Sequence, residues 1–156
     1  LADKTGSLIG TSGRFGAMLS GADDTVRETL TRYGERIGIA FQLSDDLLDV
    51  MSESDESGKT PGTDLREGVP TLPVLLLRRA ARPEDAQLLA ALDGPLDDAS
   101  LATTVAALRT HPVMAEARAE VQRWADDARA TLAPLPKVPA REALESLCDF
   151  VVRRSG

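Results

Sequence analysis

The sequence predicts an all-α fold, and three observations carry the prediction. Residues AVILMFWYC make up 42% of the chain, yet it holds one Trp, one Tyr and three Phe, so the core must be aliphatic. A supply rich in Leu and Ala favours helices. Apolar residues recur at three-to-four spacing in several stretches, and no segment alternates apolar and polar residues at the period of a strand. At 156 residues the chain is long enough for one compact domain with a real core, and no internal repeat divides it.

Taken in order, residues 2–20, "ADKTGSLIGTSGRFGAMLS", read as a helix despite Gly6, Gly10, Gly13 and Gly16. Each glycine costs helix stability relative to Ala, so the four suit a helix that is approached closely by a neighbour's backbone or by a ligand. Gly21 ends that helix, and Asp23 or Asp24 can cap the next. Val26, Leu30, Tyr33, Ile37 and Phe41 then mark a second amphipathic helix running to about Met51. Residues 52–68, "SESDESGKTPGTDLREG", are rich in Gly, Ser, Asp and Pro and read as a long loop, which compact domains keep mainly for function. Pro70 and Pro73 introduce a short buried helix, "VLLLRRAA". Two further short helices, "PEDAQLLAAL" and "DDASLATTVAALR", are separated by Gly94 and Pro95. Over 113–132, Val113, Ala117, Val121, Trp124 and Ala128 form one apolar stripe of an amphipathic helix. "APLPKVP" breaks the chain, and 140–154 closes it with Leu144, Leu147, Cys148 and Val151 on one face.

Charge and cysteine usage exclude several function classes. With 18 Lys plus Arg against 25 Asp plus Glu the net charge is −7, which repels a phosphate backbone, and no basic stripe overrides it. Nucleic acid is not an expected partner. Cys148 is the sole cysteine, so no internal disulfide and no multi-cysteine zinc site can form. No apolar run approaches the roughly 18 residues of a membrane span. A soluble protein of the cytoplasm is expected.

The chemistry concentrates in "FQLSDDLLDV", residues 41–50. On a helix, residues three or four apart share a face, so Gln42, Asp45 and Asp49 form a polar stripe with Asp46 beside it. Like charges at that spacing repel, so the arrangement calls for a compensating cation or for solvent. A solvated acidic face is the plainer reading of these acids alone. The apolar residues Phe41, Leu43, Leu47, Leu48 and Val50 around them favour a cleft instead, with the three carboxylates converging in it. Oxygen ligands of this kind suit Mg²⁺, which takes one or two carboxylates and completes its shell with water and phosphate oxygens. Fifteen of the 18 basic residues are Arg; of the three lysines, Lys4 and Lys59 lie in the glycine-punctuated segments on either side of the acidic helix. A compact ammonium there would serve a phosphate. His111, before Pro112, has no ligand-spaced partner and reads as a surface or capping residue; Cys148 reads as core.

In order and spacing, "KTGSLIGTSGRFGA", "YGERIGIAFQLSDDLLDV" and "SGKTPGTDLREGVPTLPVLLL" resemble the C-terminal half of the trans-type polyprenyl diphosphate synthases, strongly over residues 4–77. The resemblance implies an isoprenoid-synthase-like bundle of mostly antiparallel helices around a deep cleft, usually a homodimer. It implies ionisation of an allylic diphosphate, coupling to isopentenyl diphosphate and loss of a proton. Asp45 would coordinate Mg²⁺, with Asp46 and Asp49 holding metal-bound water or completing the shell. Lys4 and Lys59 would stabilise the departing diphosphate, Thr5 and Gln42 would line the cleft near the carbocation, and Asp64 would orient the loop and Lys59.

The sequence departs from the family in lacking a first Asp-rich motif. "ADDTV", "LDDAS" and "ADDAR" are acidic pairs without a third acid and read as caps or solvated faces. Residues 1–156 are therefore expected to be the C-terminal part of a polyprenyl synthetase domain. Its N-terminal half is the expected partner, and some of Ile9, Phe15, Leu19, Ile37 and Phe41 should be exposed where that half or a dimer mate would sit. "DLREGVPTLP" leans toward a medium- or long-chain product and "KTGSLI" toward a geranylgeranyl or farnesyl diphosphate synthase; a non-catalytic subunit of a heteromeric synthase is the remaining alternative.

Overall fold

The computed structural model describes residues 2–52 and 61–154, and among them the chain is helical with no strand. A π-helical turn, Ala2–Gly6, opens into α1 (Ser7–Leu19), followed by α2 (Asp24–Met51). A single-turn α3 (Thr63–Arg66) and α4 (Leu72–Ala80) come next. The 3-10 turn Pro83–Asp85 runs into α5 (Ala86–Asp93), and α6 (Asp98–Thr110), α7 (Val113–Thr131) and α8 (Pro139–Arg153) complete the order. The expected helices are present, with two local differences, and residues 53–60 of the expected loop lie outside the described residues. The first helix starts as a wider π turn, and residues 61–68 contain the turn α3. No helix among the described residues is long and apolar enough to cross a membrane.

Each of the three acidic pairs has a local task. Asp23 accepts the Val26 N–H (2.9 Å) at the start of α2, and Asp97 accepts the Ser100 N–H (2.8 Å) at the start of α6. Asp127, on the exposed face of α7, pairs with Arg123. The capping and solvation expected of these pairs is what they do.

Contacts gather the chain into two compact units. One comprises residues 1–44 and 120–154, the other 45–119, so α2 and α7 contribute to both. In the first unit α1 and α2 meet backbone to backbone. A Cβ on Gly34 would stand 2.6 Å from the Cα of Gly10, and one on Gly38 2.6 Å from the Cα of Gly6. Two glycines four residues apart on each helix present the same face, so the pairs interlock. Elsewhere in this unit Ile37, Leu43, Val121, Ala128, Leu132 and Val151 are buried. The Tyr33 hydroxyl donates to the Leu144 carbonyl (2.8 Å), the Ser44 hydroxyl donates to the Val151 carbonyl (3.1 Å), and Arg129 pairs with Asp149. Cys148 is fully buried, as expected, and burial pushes its thiol pKa up.

Four exposed apolar residues cluster on α1, and others, among them Leu75, Leu147 and Phe150, lie on later helices. Phe15 (55% exposed) and Leu19 (90%) are open, joined by Leu8 and Met18. Ile37 is the exception to the expected patch, at 2% exposure, because its position on α2 faces the core of this unit. Ile9 and Phe41 are half-buried, and the Arg154 guanidinium lies over the Phe41 ring, 4.2 Å from its centre.

The second unit buries Leu47, Val50, Leu65, Leu77, Leu101, Leu108 and Met114. Its rim carries the pairs Arg66–Asp98 (2.5 Å), Arg78–Asp93 (2.6 Å) and Arg82–Glu116 (3.4 Å). His111 is a cap, as expected: its Nδ1 accepts the Val113 N–H at the head of α7 (3.1 Å), which leaves the proton on Nε2 to be donated to Asp85 (3.0 Å). Gly62 adopts φ +78°, and a Cβ there would meet the Val105 side chain at 2.6 Å, so both backbone and space demand glycine.

The glycine interface predicts opposite outcomes at two positions. Gly34→Ala forces a methyl against the Gly10 backbone and should destabilise by about 1–3 kcal/mol. Gly16→Ala, where a Cβ would meet nothing within 4 Å, should stabilise α1 by up to about 1 kcal/mol. Urea unfolding followed by circular dichroism reads both, and shifts of the same sign would refute the close-contact account.

Candidate functional site

The expected site residues divide between the two units. In the first, the π turn presents Thr5 toward α2, where its hydroxyl meets the Gln42 side-chain oxygen, Oγ1 to Oε1 3.1 Å. The glycine contacts permit this. The site of a Gly38 Cβ lies 3.1 Å from the Thr5 carbonyl, so a side chain at 38 would push the turn carrying Thr5 away. Lys4 is exposed on the same turn, and its carbonyl accepts the Ser7 hydroxyl.

In the second unit the final turns of α2 carry Asp45, Asp46 and Asp49. Their three carboxylates meet different surroundings. Among the described residues no group of three or more His, Cys, Asp or Glu is arranged to hold a metal ion. The reason is helical geometry: consecutive residues project about 100° apart, so Asp46 turns into the core while Asp45 stays half-exposed. Asp46 is 3% exposed, and its Oδ2 accepts the Leu72 N–H at 2.9 Å. That amide is one of the unsatisfied donors at the head of α4. Thr71, the residue in the capping position, makes no side-chain cap there, so Asp46 fills the role from another helix.

Asp49 holds the segment before it. Its carbonyl accepts the Gly62 N–H (2.7 Å) and its Oδ2 accepts the Asp64 N–H (3.2 Å), so the start of α3 is tied to α2 at two points. Burial raises the Asp49 carboxyl pKa above the usual carboxylate value; the Asp64 amide opposes that shift and the Asp64 charge adds to it. Asp64 itself is placed by its backbone, donating its N–H to Asp49 and accepting the Val69 N–H at its carbonyl (2.8 Å). Lys59 lies outside the described residues.

The structure thus joins Thr5 to Gln42 and Asp49 to Asp64, and assigns Asp46 to a neighbouring helix. Sequence reading missed Arg109, whose guanidinium donates to the carbonyls of Val50 (2.6 Å) and Ser52 (2.5 Å). Nothing near Arg109 in sequence signals this, because its partners are 59 and 57 residues away.

With this geometry in hand, the comparisons with known proteins are decisive. The polyprenyl synthetase family model matches residues 1–108. The chain belongs to the polyprenyl synthetase family. It is 52% identical over 155 residues to the nonaprenyl diphosphate synthase of Mycobacterium tuberculosis, covering 99% of this chain and 46% of that protein. To the octaprenyl diphosphate synthase of Escherichia coli it is 35% identical over 152 residues, with coverage of 97% and 47%. The crystal structure of a geranylgeranyl pyrophosphate synthase from Corynebacterium glutamicum, complexed with calcium and isoprenyl diphosphate, superposes with a TM-score of 0.90 at 42% identity. That superposition covers 99% of this chain and 48% of the neighbour. The chain spans about half the length of the relatives it matches. The match extends well beyond residues 4–77, through the later helices of the chain.

Asp46→Ala should leave the Leu72 N–H without its acceptor and destabilise the protein by about 1–2 kcal/mol. Asp46→Asn, which keeps an acceptor oxygen, should recover part of the loss. Both are read from urea midpoints in EDTA, so that no metal contributes, and a wild-type midpoint for Asp46→Ala would exclude the capping role.

Proposed function

We propose that this chain is part of a trans-polyprenyl diphosphate synthase that condenses isopentenyl diphosphate with an allylic diphosphate to give a medium- or long-chain product. The observation that carries the reading is the end of α2, where a half-exposed Asp45 stands one turn before a half-buried Asp49 whose carboxyl is held above its usual range by burial. The nonaprenyl and octaprenyl synthases among its relatives support product length.

The donor set fits Mg²⁺. A magnesium ion takes one or two carboxylates and fills the rest of its octahedron with water and phosphate oxygens, so Asp45 and Asp49 suffice while Asp46 stays on its helix. Desolvated Asp49 is the member that gains most from a cation. When bound, Mg²⁺ would neutralise the diphosphate oxygens and ease departure from the allylic carbon. Lys4 and Lys59 would share the charge that builds on the leaving group. Thr5 and Gln42, already paired, would present oxygens toward the allylic cation and steer loss of the proton.

The partners in this reading are the remaining half of the synthetase domain, which is the source of the first Asp-rich motif, and a second copy in a homodimer of the cytoplasm. The exposed Leu8, Phe15, Met18 and Leu19 of α1 form a surface the missing half would cover. A second reading is a shorter-chain synthase, favoured by the likeness to the geranylgeranyl pyrophosphate synthase of Corynebacterium glutamicum. Chromatography of the dephosphorylated product separates the two.

In the complete enzyme, Asp45→Ala should lower kcat by about 100-fold or more, while Asp23→Ala, which removes a distant helix cap, should leave turnover near wild type. Equal losses would refute the metal assignment. The 156-residue chain alone should transfer no labelled isopentenyl diphosphate into an organic-extractable product, and activity should return when the half with the first Asp-rich motif is added. Robust turnover by the chain alone would overturn the proposed division of the active site.

A further inference from the structure

We infer that Arg109 is a positioning residue for the metal-diphosphate end of α2, an inference that rests on the function proposed above. The last turn of α2 is a poor place for acid. Unsatisfied carbonyls give a helix C-terminus a partial negative charge, so carboxylates there are disfavoured and cations favoured. That turn contains Asp49 and no basic residue of its own. A counter-charge must come from elsewhere.

Arg109, in the last turn of α6, provides it. Its Nε donates to the Val50 carbonyl at 2.6 Å and its Nη2 to the Ser52 carbonyl at 2.5 Å. Val50 directly follows Asp49, so the fork grips the peptide next to the carboxylate-bearing residue. Guanidinium suits this task because its donors sit in a rigid plane at fixed spacing, whereas an ammonium offers a single point charge. The same helix packs Leu101 and Val105 against Gly62, whose N–H returns to the Asp49 carbonyl. Through α6, the backbone at and just after Asp49 is held in place: Arg109 grips the Val50 and Ser52 carbonyls, and Gly62 the Asp49 carbonyl. The family match ends at residue 108, so Arg109 falls one position outside the segment by which the family is recognised.

A residue that orients a ligand in this way changes metal affinity as well as stability; the loss of such a partner commonly weakens binding by about 10-fold. The experiment uses the complete enzyme and compares wild type, Arg109→Gln, Arg109→Lys and Asp45→Ala. Titration with Mg²⁺ in the presence of inorganic diphosphate is followed by thermal shift and by calorimetry, without turnover. The expected result is an apparent Mg²⁺ affinity about 10-fold weaker for Arg109→Gln, with Arg109→Lys in between because it keeps the charge and loses the fork. Kinetically, the Mg²⁺ concentration for half-maximal rate should rise in parallel. Either folded variant binding Mg²⁺-diphosphate with wild-type affinity, while Asp45→Ala loses it, would overturn the inference and leave the functional reading intact. Unchanged binding by Asp45→Ala would instead refute that reading, and this inference with it. Arg109→Lys preserves the cation at the helix end, so it keeps the comparison available if Arg109→Gln does not fold.

Discussion

Negative charge at the negative end of a helix is the constraint around which the second unit is arranged. Asp45, Asp46 and Asp49 occupy the last turns of α2, where the helix dipole opposes them. Three different partners answer that cost. Asp46 is buried and takes the amide at the head of α4; Asp49 takes the amide of Asp64; Arg109 takes the carbonyls that end α2. The backbone amides at the starts of α3 and α4 are unsatisfied donors, so they and the acids resolve each other's deficit. Asp49 is half-buried, and burial raises its carboxyl pKa against the opposing Asp64 amide.

The first unit is governed by steric rather than electrostatic demand. Glycines at 6, 10, 34 and 38 let two helix backbones approach to a distance at which no Cβ fits. Close approach of α1 and α2 is what puts the Thr5 hydroxyl within 3.1 Å of the Gln42 oxygen. Helix propensity is given up at four positions to obtain that contact, which is why "KTGSLIG" looks so poor as a helix in isolation. The wide π turn at Ala2–Gly6 is a further departure from a regular helix in the same place. Such departures concentrate where geometry serves function.

Much of this was legible beforehand, and the reason differs by feature. Helices α2 and α7 follow from apolar spacing along their own sequence, and the caps at Asp23 and Asp97 from residues three positions away. Glycine spacing announced a close approach, though not whether a ligand or a neighbouring backbone made it. The acidic stripe was correctly located on one helix, but what Asp46 and Asp49 each meet was not legible, because a helical wheel gives direction around an axis and says nothing of what each direction meets. Ile37 shows the same gap: its spacing marked it as apolar face, and only packing revealed that this face is inside.

By itself the sequence determined the all-α class, the order of the helices, the family motifs and the residue types able to meet a metal and a diphosphate. These are properties of composition and of periodicities within a turn or two of helix, where partners lie three or four residues apart. The tertiary structure alone decided that Asp46 serves α4, that Asp49 is desolvated beside Asp64, that Thr5 pairs with Gln42, and that Arg109 closes α2. Each of these joins residues between 15 and 59 positions apart. Contacts at such separations depend on which helix faces pack together, and local spacing carries no information about that choice.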